Sequence, residues 1–102
     1  MSVNIDLAFT VTGIADEPQA HRIVDALGRL MLAENIELEV SMGVAKDEHG
    51  ALFVSGESDH PLCVSRSYLW RPHFEGLFTA TVEEVAAGAV SRIEWGYPDE
   101  EY

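Results

Sequence analysis

Larger hydrophobic residues alternate with polar or small residues over positions 3–11, the most regular stretch of the chain. Successive side chains of a β-strand point to opposite faces, so this alternation predicts a strand with one buried face. Gly13 and Pro18 follow in a largely polar stretch, which indicates a turn into a helix and the start of a strand-helix-strand unit. The predicted buried positions are Val3, Ile5, Leu7, Phe9 and Val11, and the opposite face carries Asn4, Asp6, Ala8 and Thr10.

The next segment has the three- and four-residue spacing of an amphipathic helix that packs one face on the sheet. Asp16 is predicted to cap this helix, and Pro18 lies in its first turn, where a missing N–H does no harm. Asn35 is expected near its end, because asparagine tolerates the left-handed backbone common there. The hydrophobic positions are Ala20, Ile23, Val24, Leu27, Leu30 and Met31.

Alternation returns over residues 36–44 and predicts a second strand. Residues 46–50 are polar and turn-forming, so residues 51–55 are predicted to return antiparallel as a third strand of a hairpin. The hydrophobic face of the second strand would comprise Ile36, Leu38, Val40, Met42 and Val44.

Residues 62–70 fit neither period cleanly; we interpret them as a fourth strand, with a short helix as the alternative. As a strand, one face would carry Leu62, Val64, Arg66, Tyr68 and Trp70.

Arg71 and Pro72 are expected to break that segment, and helical spacing then predicts a second helix ending near Gly88. A rival interpretation makes residues 77–81 a strand, followed by a helix that Thr81 and Glu84 cap. Residues 89–97 alternate again and predict the last strand. The helical positions are Phe74, Leu77, Phe78, Thr81, Val82, Val85 and Ala89.

The resulting order is strand, helix, three strands, helix, strand. It predicts an α/β (α+β) two-layer sandwich with both helices on one face of a mixed sheet. This order resembles that of the ferredoxin-like fold with an extra strand, a resemblance that implies a fold and carries no function. We expect one domain over residues 1–98 and an acidic tail at 99–102.

The composition narrows the choice of partners. Six Lys and Arg residues against eighteen Asp and Glu give a net charge of −12, which disfavours direct binding to nucleic acid or anionic membranes and favours a basic partner. Cys63 is the single cysteine, so no intramolecular disulfide can form. Together with the absence of a signal-like or membrane-spanning apolar run, this predicts a cytoplasmic protein.

No residue pattern indicates catalysis. The four histidines form no pair at helical ligand spacing, and Cys63 has no identifiable base, so we expect no metal, no cofactor and, on balance, no enzyme. The carboxylates beside His49 and His60 lie in predicted turns, where solvated polar residues are the ordinary explanation.

A partner surface is the remaining functional hypothesis. Tyr, Trp and Arg are enriched where interfaces concentrate binding energy, and the open sheet face is otherwise predicted to be acidic. The alternatives are a plain solvated sheet face and, for Tyr68 and Trp70, a core position in a shifted register. The candidate partner-binding residues are Asp6, Glu37, Glu39, Arg66, Tyr68, Trp70, Arg92 and Glu94.

These observations favour a small acidic protein-interaction module, of the adaptor, inhibitor or immunity type, that binds another protein through the open sheet face or an acidic rim. One alternative is a small-molecule sensor or enzyme whose pocket is completed by dimerisation. Another is a structural homo-oligomer that associates through its sheet.

Overall fold

The computed structural model describes residues 2–97, so the predicted acidic tail lies outside the described residues. Two helices pack against one face of a five-stranded sheet. Neither helix combines the length and apolar character that a membrane span requires. In chain order the elements are β1 (Ser2–Thr12), α1 (Glu17–Ala33), β2 (Val40–Lys46), β3 (Leu52–Ser58), β4 (Leu62–Ser65), α2 (Ser67–Val85) and β5 (Val90–Gly96).

β1 lies at the centre of the sheet. It pairs with β5 from Asp6 to Thr12 and with β3 on its other edge from Ala8 to Val11, and β2 pairs with the far side of β3. All described pairings are antiparallel, so the predicted mixed sheet is wrong in this respect. β1 and β2 do run in the same direction, but β3 lies between them and prevents a parallel pair.

β4 lies on the same edge of β1 as β3. This placement follows from the position of β4 beside residues 35–39, the segment that leads into β2. A continuous register from Ala8 opposite Glu57 would place His60 opposite Ile5, whereas Leu62 occupies that position. Residues 59–61 therefore form a bulge with two extra residues. The extra strand of the predicted order is the second half of an interrupted strand.

The predicted buried face of β1 is confirmed at Ile5, Leu7, Phe9 and Val11, each at most 3% exposed. Burying side chains of this size contributes about 1.5–3 kcal/mol each. Gly56 pairs with Phe9 on the neighbouring strand. A Cβ at Gly56 would collide with the Phe9 ring and come within 2.8 Å of the Met42 Cβ, so only glycine leaves room for that ring.

The first helix forms as predicted. The Asp16 carboxylate accepts a hydrogen bond from the Gln19 backbone N–H at 2.9 Å, and Pro18 lies at the helix start. Asn35 adopts a left-handed conformation (φ 61°) just after the helix ends. The buried residues of α1 match the predicted stripe except that Ala26 replaces the half-buried Val24.

Two boundaries of the hairpin strands differ from the prediction by three or more residues. β2 begins at Val40, because residues 36–39 form turns in which the Glu39 N–H donates to the Ile36 carbonyl at 3.1 Å. β3 extends to Ser58 because its pairing with β1 and β2 continues past residue 55.

The interpretation of residues 62–70 as one strand is wrong beyond Ser65. Arg66 turns the chain with a left-handed backbone (φ 54°), and α2 begins at Ser67 and runs through Pro72. The helix starts early because Trp70, Phe74 and Phe78, spaced by four residues, pack on the core. The rival strand over residues 77–81 is absent, and α2 ends at Val85 rather than near Gly88.

Candidate functional site

The predicted partner-binding residues fall on separate surfaces of the domain. Asp6, Arg92 and Glu94 lie on the sheet face opposite the helices, as their strand registers require. Glu37, Glu39, Arg66 and Tyr68 lie where α1 ends and α2 begins, and Trp70 packs against the core.

The open sheet face is flat and built mainly from small side chains. Phe53 and Val90 are its larger apolar residues, and Val90 is 62% exposed. Such a face can contact another flat surface, although only two sizeable apolar groups would drive association. Its two central cross-strand rows are Gly43, Ser55, Thr10 and Arg92, and Ser41, Glu57, Ala8 and Glu94.

An acidic groove of about 470 Å³ lies on this face beside the bulge. Among the described residues, four carboxylates and His60 line it, and no Lys or Arg does. The Ser41 hydroxyl donates to the Asp59 carboxylate at 2.9 Å, and the Asp59 backbone N–H donates to the Glu39 carbonyl at 2.7 Å, which fixes this side of the groove. The groove concentrates negative potential and favours a basic group. Its carboxylates are Asp6, Glu57, Asp59 and Glu94.

A second surface comprises the end of α1 (residues 32–34), the turns at residues 36–39 and the start of α2 (residues 66–69). We name it the junction patch. The Trp70 indole N–H donates to the Glu34 carboxylate at 3.0 Å, and His73 Nε2 lies 3.5 Å from the same oxygen. These contacts hold the end of α1 against the start of α2.

The junction patch collects exposed apolar side chains. Among the described residues, four of the six exposed large hydrophobic side chains belong to the end of α1, the turns at 36–39 and the first turn of α2. Exposed apolar groups that cluster mark contact surfaces. Leu38 stands between Glu37 and Glu39, so the patch also has an acidic rim. The apolar members are Leu32 (59% exposed), Leu38 (82%), Tyr68 (73%) and Leu69 (57%).

Arg66 lies in this patch with its side chain exposed. Its left-handed backbone is unusual for a residue with a Cβ and costs about 1–2 kcal/mol. The Arg66 carbonyl accepts from the N–H groups of Leu69 at 2.9 Å and Trp70 at 3.1 Å, so this conformation starts α2. No described carboxylate lies within 4.0 Å of its guanidinium.

Trp70 does not join Arg66 and Tyr68 at the surface. Residues two apart on a helix point about 200° apart, so Tyr68 and Trp70 face opposite sides of α2. The Trp70 ring stacks on Phe74 at 5.0 Å between centroids and meets Trp95 edge-on at 5.6 Å. Trp70 therefore anchors α2 on the core. It does so from a helix and not from the shifted strand register of the core alternative, and that alternative is wrong for Tyr68, which is 73% exposed.

Arg71 is a structured residue that the sequence reasoning missed. Its guanidinium lies 5.4 Å from the Trp95 ring centroid and 5.5 Å from that of Tyr97, and it donates to the Tyr97 hydroxyl. Glu75, one turn later, accepts from the Trp95 indole N–H at 3.2 Å. These contacts clamp α2 to the end of β5. The Arg71–Glu75 spacing is visible in the sequence, but the aromatic partners depend on the tertiary fold.

Within residues 2–97, no group of three or more His, Cys, Asp or Glu side chains is placed to hold a metal ion. Cys63 is exposed on β4.

Comparison with known proteins supports the fold. No family model matches the sequence, and no characterised protein matches it significantly. The structure is similar to the de novo designed protein Foldit4, with a TM-score of 0.61 and 10% identity over 91% of this chain and 96% of that one. It is also similar to a dimeric ferredoxin-like protein from an uncultured marine organism, with a TM-score of 0.61 and 12% identity over 97% of this chain and 99% of that one. The chain thus has a compact ferredoxin-like α+β fold.

Proposed function

We propose that this chain is a small acidic protein-interaction module that binds a partner protein through the junction patch. The observation that carries the proposal is that Leu38, Tyr68 and Leu69 are each at least 57% exposed, in the turns after α1 and the first turn of α2. Exposed apolar side chains that cluster are costly in water and gain free energy when a partner covers them.

The residue types in the patch favour one kind of complementary surface on the partner. Tyr68 and Arg66 are residue types enriched at binding hot spots, and Leu38 and Leu69 supply apolar area. Glu37 and Glu39 place negative charge beside Leu38, and the whole chain carries −12. The matching surface is an apolar pocket with basic residues at its rim.

Affinity capture from cells that carry the gene tests this proposal. The baits are the wild-type protein, the double variant Leu38→Ser with Leu69→Ser, and Val90→Ser as a matched change on the open sheet face. We expect the wild type and Val90→Ser to retain the same partner and the double variant to lose it. Added salt should weaken the complex, because it shortens the distance over which exposed charges attract each other, which is about 8 Å at physiological ionic strength. Equal capture by all three baits would refute the assignment to the junction patch.

A homodimer through the open sheet face is the second candidate. The dimeric ferredoxin-like protein with the similar fold favours a homodimer, and the flat rows around Ala8 favour the open sheet face as its interface. In such a dimer the second copy would cover the acidic groove, which is the arrangement required by a small-molecule site completed by dimerisation.

Sedimentation velocity distinguishes this candidate. Ala8→Arg places a long charged side chain at the centre of the open face, so a sheet-to-sheet dimer should dissociate while Leu69→Ser leaves it intact. A wild-type protein that sediments only as a monomer would contradict the homodimer proposal and would not affect the proposal for the junction patch.

A further inference from the structure

A groove of about 610 Å³ runs between α1 and α2 on the side of the helices away from the sheet. Its floor is apolar: Ala26 and Leu30 are 8% and 9% exposed, and Val85 is half-buried. Small and medium side chains at these positions allow a third element to approach the two helices closely.

Two arginines line the α1 side of this groove. Arg22 and Arg29 are seven residues apart, nearly two helical turns, so they lie on one face of α1 about 10.5 Å apart along its axis. Both are exposed, and no described carboxylate lies within 4.0 Å of either guanidinium. Asp25 has the spacing to pair with each of them, yet it does not line the groove and neither arginine binds it.

The charge of this groove is opposite to that of the rest of the molecule. Two of the six basic residues of a chain with net charge −12 line it, and Glu84 is the single carboxylate among its described lining residues. An acidic ligand therefore gains attraction here that the surrounding surface does not offer.

We propose that the groove between α1 and α2 binds an acidic amphipathic helix of a partner protein. Its apolar side chains would cover Ala26, Leu30 and Val85, and carboxylates two turns apart would pair with Arg22 and Arg29. A helix lying in a groove between two helices is a recurring mode of recognition. An anionic membrane is the alternative ligand with the same charge, and the test below includes anionic vesicles to distinguish it.

The test uses a fluorescein-labelled helical peptide with leucines on one face and two glutamates at the spacing of Arg22 and Arg29. Fluorescence anisotropy of the full chain measures its affinity. Arg22→Gln and Arg29→Gln should each weaken binding about 1.5- to 5-fold, the range for exposed ion pairs. Glu84→Gln should strengthen binding by a similar factor, because it removes the repelling carboxylate.

Matched controls make the result specific. Glu83→Gln removes a negative charge from α2 outside the groove, and Lys46→Gln removes a positive charge at the end of β2; both should leave the affinity unchanged. The copy of the peptide with glutamine in place of glutamate should bind more weakly. The proposal is overturned if the wild type does not bind the acidic peptide, if both peptides bind alike, or if the protein binds phosphatidylglycerol vesicles instead. None of these variants alters the junction patch, so the two proposals fail separately.

Discussion

α1 and α2 pack on the same face of the sheet but begin in different ways. α1 starts at Asp16, whose carboxylate caps the helix, and its exposed residues near the start are polar. α2 starts at Arg66 in a left-handed conformation without a side-chain cap, and its first turn exposes Tyr68 and Leu69. The start of α1 stabilises the fold, whereas the start of α2 presents apolar surface at some cost in stability.

This difference separates residues that maintain the fold from residues available for binding. The buried stripes of both helices enter one core through Leu27 of α1 and Phe74 and Phe78 of α2, all fully buried. The helices should therefore respond alike to changes in their buried faces and differently to changes at their starts.

The largest effect should come from emptying the buried faces. Phe78→Ala should lower the free energy of unfolding by about 3–5 kcal/mol and Leu27→Ala by about 2–5 kcal/mol, because each leaves a cavity in the core. Urea denaturation measures both. A loss well below this range at Phe78 alone would show that α2 is loosely packed and would break the equivalence of the two helices.

A smaller loss is expected at the start of α1. Asp16→Ala removes the acceptor for the Gln19 N–H and should lower the free energy of unfolding by about 1 kcal/mol. The urea midpoint of Asp16→Asn, which keeps a capping oxygen, should stay close to that of the wild type. If both substitutions are equally costly, the loss arises from charge rather than from the cap.

At the start of α2, in contrast, a substitution should raise the free energy of unfolding. Arg66→Gly relieves the left-handed strain of about 1–2 kcal/mol, and part of this gain is offset by the greater flexibility of glycine in the unfolded chain. We expect a net stabilisation of about 0.5 kcal/mol by differential scanning calorimetry. Arg66→Ala keeps a Cβ and serves as the control for loss of the side chain, so an equal gain in Arg66→Ala would contradict relief of strain.

The smallest effect on stability is expected within the junction patch. Leu69→Ser should change the free energy of unfolding by no more than about 0.5 kcal/mol, because its side chain is 57% exposed. A loss comparable to that of Leu27→Ala would show that Leu69 belongs to the core and would remove the distinction between the two helix starts.

The parts of the fold that the sequence predicted well are those in which a local pattern agrees with tertiary packing. β1 and α1 have long, regular patterns, and Asp16 and Asn35 mark the ends of α1 by ordinary local chemistry. The strand predicted over residues 36–39 was wrong because Ile36 and Leu38 alternate with polar residues as in a strand. In the folded chain Ile36 is buried in a turn and Leu38 is 82% exposed.

The candidate site was harder to predict for the same reason. Arg66, Tyr68 and Trp70 share a face only in a strand, and packing of Trp70 against Phe74 and Trp95 converts the segment into a helix. The bulge at 59–61 and the groove beside it depend on the offset between β3 and β4, which no local periodicity encodes.

Photo-crosslinking at the start of α2 tests the central claim most directly. Tyr68→p-benzoylphenylalanine places a crosslinker in the junction patch, and Val90→p-benzoylphenylalanine places one on the open sheet face as the control. In extracts of cells that carry the gene, position 68 should crosslink to a partner protein, position 90 should not, and Leu69→Ser should abolish the product. A partner crosslinked from position 90 and not from position 68 would contradict the account.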